Sequence, residues 1–164
     1  MTKVFSIARS VTEAAQAAAV DLRLCADSSR EQWMATLLGR LQLSSLDKLW
    51  ADGVWAGAVV TTEPWCWIRE LQGRGPYLLF FPGDTSREVF QTQTAVELAC
   101  VLDAVDVAAF DFGVSRAEGD FALVKFSEGG LRGFGKVVDW LNAGKLEPVN
   151  IDGPLSLPKH SSAT

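Results

Sequence analysis

The fold is decided by residues 107–126, which read VAAFDFGVSRAEGDFALVKF. Side chains alternate in character on both sides of a polar stretch at residues 116–119, and a period of two residues is typical of strands. We therefore predict a β-hairpin with strands at residues 107–115 and 120–126. Because a lone hairpin is only marginally stable in water, other elements of the chain must cover its faces.

Three more strands are predicted ahead of this hairpin. Residues 54–62 are rich in β-branched and aromatic side chains, residues 64–72 alternate, and residues 77–81 form a short apolar run. The alternation at residues 64–72 would place four side chains on one half-buried face of a strand. These four are Trp65, Trp67, Arg69 and Leu71.

Helices are predicted before and between the strands. Three of them open on the pattern of a capping box, in which a Ser or Thr is followed three residues later by Glu. The pairs are Ser10 with Glu13, Ser28 with Glu31, and Thr94 with Glu97. Their helices are expected to end near residues 24, 43 and 104, and a short helical turn is expected at residues 45–50. A last helix is predicted at residues 131–143, ended by the C-cap Gly144.

This order of elements indicates the α+β class, with a mainly antiparallel sheet of about five strands packed with an N-terminal helix pair and two further helices. The chain has 164 residues, 48% of them hydrophobic, which is enough for one core. We expect a single domain at residues 1–147. Three prolines punctuate the sequence beyond it, so residues 148–164 are expected to form a disordered tail.

Several function classes are disfavoured by composition. The single histidine, His160, lies in the expected tail, so no catalytic residues are assigned. No metal site and no cofactor are expected, because neither Cys-x-x-Cys nor a His pair nor a calcium loop is present. A net charge of −5 disfavours nucleic-acid binding, and the apolar runs are too short for a bilayer. The three cysteines lie among apolar residues, which predicts reduced thiols and a cytoplasmic location.

Two local patterns suggest chemistry but lack the residues that would complete it. Residues 130–136 read GLRGFGK and satisfy the phosphate-loop spacing, yet Val137 stands where a hydroxyl should hold magnesium. We interpret them as a glycine-rich turn that leads into a helix. Asp111 and Asp120 could face each other across the hairpin as a carboxylate pair, but solvated carboxylates are the favoured interpretation.

Acidic residues and tryptophans supply the positive evidence about function. Residues 97–128 contain seven acidic and two basic residues, and an acidic face is predicted over the helix near residue 100 and the hairpin. Trp is a preferred anchor at protein interfaces. The residues predicted to bind a partner are Trp65, Trp67, Asp103, Asp106, Asp111, Glu118 and Asp120.

Two functions follow as hypotheses. The first is a small protein-binding module with one partner of basic surface, for example an immunity-type inhibitor that blocks a toxin or a basic enzyme. The second is a small-molecule-binding protein or an enzyme with a pocket between the sheet and the first helices. Its pocket would use the carboxylates of Glu63, Asp84 or Asp111, with Arg69 or Arg87 as an anion clamp.

Overall fold

The computed structural model describes residues 7–51, 57–82, 88–105, 110–126 and 129–152. The described helices are α1 Ile7–Ala17, α2 Asp27–Leu41, α3 Pro64–Ile68, α4 Ala95–Ala104 and α5 Val138–Ala143, with a 3-10 turn at Leu46–Trp50. The described strands are β1 Arg23–Leu24, β2 Gly57–Val60, β3 Leu71–Gln72, β4 Tyr77–Phe80, β5 Phe90–Thr92, β6 Phe112–Arg116, β7 Phe121–Phe126, β8 Gly130–Gly135 and β9 Val149–Asn150. None of the helices in these ranges has the length and apolar character needed to cross a membrane.

Seven of the described strands form one antiparallel sheet in the order β1-β5-β4-β6-β7-β8-β2. The predicted hairpin lies at its centre, where Phe112 of β6 pairs with Lys125 of β7 and Val114 pairs with Leu123. The strands β3 and β9 pair in parallel as a separate small sheet. The α+β class and the mainly antiparallel sheet are confirmed, and the sheet has seven strands rather than about five.

The large sheet separates two cores. Helices α1, α3, α4 and α5 cover one face, and α2 with the 3-10 turn covers the other. In β7, Phe121 and Leu123 point into the first core while Ala122 and Val124 point into the second. Because apolar residues occupy both faces, the central strands are buried on both sides.

The predicted strand at residues 64–72 is wrong over most of its length. Residues Pro64–Ile68 form α3, and only Leu71–Gln72 is extended. Proline at the first position of a helix loses no hydrogen bond, and Trp67, Ile68 and Leu71 recur at helical spacing and are buried. Over so few residues the two periods fit the same sequence, and burial against the first core favours the helix.

The predicted helix at residues 131–143 is also wrong in its first half. Residues Gly130–Gly135 form β8, which pairs with β7 on one side and β2 on the other. Glycine is required by the backbone at the end of this strand, since Gly135 has φ 72° and a Cβ on it would lie 2.3 Å from Asp120 O. The helix begins only at Val138, and Gly144 ends it with φ 68° as predicted.

Of the three predicted capping boxes, one is confirmed. Thr94 Oγ1 accepts a hydrogen bond from Glu97 N at 3.1 Å and donates one to Glu97 Oε1 at 3.0 Å. Ser10 and Ser28 lie inside α1 and α2, so they cap neither helix. The first predicted helix also ends early, at Ala17, and the chain then enters β1.

The expected boundary at residue 147 is too early. β9 lies beyond it, Ile151 is 1% exposed, and Asp152 binds Arg116. A buried aliphatic side chain and an ion pair hold these residues against the fold. The prolines of the sequence do not prevent this packing. Residues 153–164 of the expected tail lie outside the described residues.

Candidate functional site

Trp67, one of the two tryptophans predicted to bind a partner, is a core residue. Its ring packs edge to face on Trp140, with centroids 5.2 Å apart at 68°, and it is 6% exposed. Trp65 is half-buried and packs against the edge of the same core. Because α3 is a helix, the two rings do not share the exposed face that a strand would have given them.

The acidic residues of the hairpin lie at its two opposite ends and do not form a carboxylate pair. Asp111 precedes β6 and lies 3.5 Å from Lys125 Nζ, which also donates to Phe110 O at 2.7 Å. Asp120 follows the turn that joins the strands, and its side chain is buried against Arg116. Each carboxylate therefore has its own cation.

Arg116 is the centre of a buried charge cluster, and it is itself only 1% exposed. Its Nε and Nη2 donate to the two carboxylate oxygens of Asp120 at 2.9 and 2.6 Å, and Nη2 lies 3.3 Å from Glu118 Oε2. The hydrogen bonding of Arg116 to Asp120 is the largest of the effects that raise the pKa of Arg116. The fork-to-fork geometry is the strongest that arginine and a carboxylate can adopt.

The same arginine holds the last described residues. Arg116 Nη1 donates to Asp152 Oδ1, and Nη2 donates to Ile151 O at 3.0 Å. Lys136 Nζ also donates to Ile151 O at 3.0 Å and lies 3.3 Å from Asp120 Oδ2. The charges of the cluster compensate one another, so the cluster stabilises the contact between the hairpin and residues 151–152.

Tyr77 lies beside this cluster, where its hydroxyl donates to Gly73 O at 3.0 Å. Burial raises the pKa of Tyr77 to about 12. The positive charge of Arg116 opposes the shift, while Asp152 and Asp120 add to it. The phenol therefore stays protonated at neutral pH and acts as a hydrogen-bond donor.

The acidic face predicted over α4 and the hairpin would lack one of its members, because Asp120 is buried. Asp120 is 8% exposed, whereas the Glu118 side chain is 52% exposed and Asp103 is exposed on α4. Asp106 lies outside the described residues. What remains exposed is divided between the hairpin turn and α4.

One surface does bring together a predicted tryptophan and a predicted acid. We call it the α3–α4 surface and define it by Glu63, Trp65, Cys66 and Asp103, on two helices that pack against each other. Cys66 Sγ donates to Glu63 Oε2 at 3.6 Å. Burial, this hydrogen bond and the negative charges of Glu63 and Asp103 raise the pKa of Cys66, while Arg69 opposes them. Glu63 is therefore in direct contact with the thiol, while Asp103 lies on the helix that packs against α3.

A groove of about 570 Å³ lies between α1 and the β1–β5 edge of the sheet. It is lined by Ala8, Arg9, Thr12, Glu13, Gln16, Leu22, Leu24, Glu88 and Phe90. The position agrees with a pocket between the sheet and the first helices, but the residues differ from those expected. Glu63, Asp111 and Arg69 do not line it, and Asp84 and Arg87 lie outside the described residues.

The phosphate-loop spacing at residues 130–136 falls on a strand. Because β8 is paired on both sides, its backbone N–H groups cannot converge on a phosphate as those of a loop do. Cys25, Cys66 and Cys100 are free. Within the described ranges, no group of three or more His, Cys, Asp or Glu side chains is arranged to hold a metal ion. No family model, curated protein or solved structure matches this chain.

Proposed function

We propose that the chain is a small protein-binding module that receives a basic protein partner on the α3–α4 surface. An immunity-type inhibitor, which blocks a toxin or a basic enzyme, is the concrete form of this function. The observation that carries the proposal is the packing of α3 on α4, which puts the half-buried Trp65 and the exposed Asp103 on two adjoining helices.

Charge supports this choice of surface. Glu63, Glu70 and Asp103 form no ion pair with any residue in the described ranges. Arg69 is the basic residue whose positive charge lowers the pKa of the Cys66 thiol. By contrast, Asp111, Asp120 and Asp152 are neutralised by cations of the chain. The uncompensated carboxylates are the ones that attract a basic partner over a distance.

Trp65 supplies the complementary apolar contact. One part of its ring packs against the first core and another part is open to solvent. A ring held in this way loses little conformational entropy when a partner covers it, and Trp is enriched among the residues that dominate binding energy. The α3–α4 surface thus combines a rigid anchor with negative charge.

The partner is found by placing a photoreactive amino acid at Trp65 and, as a matched control, at Asp139 on the exposed side of α5. Crosslinking in cells of the source organism should yield a basic protein from the first position only. With that protein purified, Glu63→Lys with Asp103→Lys should lower the association rate and flatten its dependence on salt. Trp65→Ala should chiefly raise the dissociation rate, by a factor that corresponds to about 2 kcal/mol.

Asp27→Lys with Glu31→Lys makes the same change of +4 in net charge on α2, which covers the other face of the sheet, and serves as the kinetic control. If the α3–α4 variants and the α2 variant bind with the kinetics of the unaltered chain, the surface is not the interface and the proposal is wrong.

The groove beside α1 supports a second candidate function, the binding of a small molecule. Its volume of about 570 Å³ lies within the range of known ligand sites, and it combines Phe90 and Leu22 with Arg9, Glu13 and Glu88. A ligand found by thermal-shift screening should lose affinity with Thr12→Trp, which fills the groove, and keep it with Trp65→Ala. The opposite pattern would exclude the groove as its site.

A further inference from the structure

The last described segment reaches the small sheet after an exposed connection. Residues 145–148 are exposed, and their described contact with the fold is the hydrogen bond that Trp140 Nε1 donates to Glu147 O at 2.9 Å. Beyond them, Val149–Asn150 pair in parallel with β3, and residues 151–152 form a bend. The segment is therefore connected to α5 by a stretch with few contacts and is held mainly by its own residues.

Residues 149–152 bind in the manner of a peptide added to a strand. Val149 N donates to Glu70 O at 3.0 Å, and Ile151 N donates to Gln72 O at 2.8 Å. The Ile151 side chain is 1% exposed, whereas Asn150 between the two donors is exposed. Backbone hydrogen bonds combined with a pocket for alternate side chains are the features by which sheet edges recognise extended peptides.

Four donor groups, which belong to Arg74, Arg116 and Lys136, converge on the end of the segment. Asp152 accepts hydrogen bonds from Arg116 Nη1 on one carboxylate oxygen and from Arg74 N, at 2.7 Å, on the other. Ile151 O accepts from Arg116 Nη2 and from Lys136 Nζ, each at 3.0 Å. A carbonyl and the following carboxylate are thus bound together.

Two of these residues, Arg116 and Lys136, also have partners outside the segment. Arg116 is fixed by the paired hydrogen bonds to Asp120 and by a further one from Nη1 to Arg74 O at 3.3 Å. Lys136 Nζ lies 3.3 Å from Asp120 Oδ2. When the segment leaves, the cations keep partners on the hairpin, and the site remains organised for another carboxylate.

We propose that the cleft formed by β3, Arg116 and Lys136 is a peptide-binding site, which residues 149–152 occupy in cis. Its ligands are extended peptides in which an aliphatic residue is followed by Asp or Glu. The site is separate from the α3–α4 surface and goes beyond the function proposed above. Because the chain's own segment occupies the site, the apparent affinity for such a peptide equals the intrinsic affinity multiplied by the fraction of open sites.

The test uses a labelled peptide of sequence PVNIDG, which corresponds to residues 148–153. Its binding is measured by fluorescence anisotropy to the full chain and to the full-chain variant Ile151→Ala with Asp152→Asn, in which the cis segment is weakened. The variant should bind the peptide at least about tenfold more tightly than the unaltered chain, because more of its sites are open. A peptide in which the Asp is replaced by Asn should bind the variant at least about tenfold more weakly.

Asp139→Asn, an exposed change on α5, should leave peptide binding unchanged. Equal affinity of a folded variant and the unaltered chain, or equal affinity for the two peptides, would overturn the proposal.

Hydrogen exchange in the unaltered full chain tests the same idea without a variant that could unfold. The amides of Val149 and Ile151 should exchange at least about 100-fold faster than the amide of Leu123 in β7, because the segment opens alone. Exchange of all three at one common rate would show that residues 149–152 leave only with global unfolding, and would overturn the proposal as well.

Discussion

Arg116 and Asp120 stand only four residues apart, at the two ends of the hairpin turn, and form a doubly hydrogen-bonded pair that is almost wholly buried. The same turn approaches α2, since a Cβ on Gly119 would lie 2.9 Å from Leu37 N. Asp120 thus fixes an arginine that in turn binds the last described segment. The central hairpin and the end of the described chain are coupled through one side chain.

The first prediction concerns this pair. Asp120→Asn should lower the free energy of unfolding by about 3 kcal/mol, because it leaves a buried guanidinium without its main partner. Glu118→Gln changes a neighbouring carboxylate that is 52% exposed and should cost less than about 1 kcal/mol. Urea unfolding of the two variants measures both values, and equal losses would contradict the importance assigned to Asp120.

The second prediction concerns pH. Hydrogen bonding to Arg116 lowers the pKa of Asp152 below 3.8. Burial raises the pKa of Asp120, but the hydrogen bonds and charge of Arg116, with Lys136, outweigh it, so that this pKa is also lowered from 3.8. Because the unfolded chain binds these protons more tightly, the stability that the carboxylates contribute is present above about pH 4 and is lost as the pH falls through their folded pKa values.

Urea unfolding over a pH series measures this loss. In the variant Asp152→Asn, one of the two titrating groups is absent, so its stability should decline less steeply with acid than that of the unaltered chain. Parallel curves for the two proteins would show that Asp152 does not contribute to the acid sensitivity.

The third prediction concerns the end of the described chain. Truncation after Glu147 should lower the free energy of unfolding by about 2 kcal/mol or more relative to truncation after Asp152, because it removes the buried Ile151. For a domain of this size, that difference corresponds to a fall of about 4 °C or more in melting temperature. Equal melting temperatures for the two truncated chains would show that residues 148–152 do not stabilise the fold.

The central part of the fold could be predicted because its signals are local and consistent. Side chains at residues 120–126 point alternately to the two faces of β7, both of which are buried. The Thr94 cap is a contact between neighbours in sequence. Helix α3 and strand β8 were mispredicted for a different reason. Their identity is decided by distant residues such as Trp140 and Leu141, whose packing no local period records.

The candidate site, too, could be predicted only in its local features. Charge counts indicated an acidic surface, but the sequence could not tell that Arg116 and Lys125 would neutralise Asp120 and Asp111, because such pairing depends on the register of the hairpin. The sequence also could not show that the helices carrying Trp65 and Asp103 adjoin, since this requires α3 to be a helix that packs on α4. Proline at position 64, at the start of a helix, was the signal that could have suggested it.

The last prediction separates the two tryptophans of α3. Trp67 is 6% exposed and packs on Trp140, so Trp67→Ala opens a cavity between α3 and α5 and should lower the free energy of unfolding by about 3–5 kcal/mol. Trp65 is half-buried at the edge of the core, and Trp65→Ala should cost less than about 2 kcal/mol because solvent already reaches part of the ring. Urea unfolding followed by circular dichroism measures both losses. If Trp65→Ala proved as destabilising as Trp67→Ala, Trp65 would be a core residue, and the α3–α4 surface would lose the anchor on which the proposed interface depends.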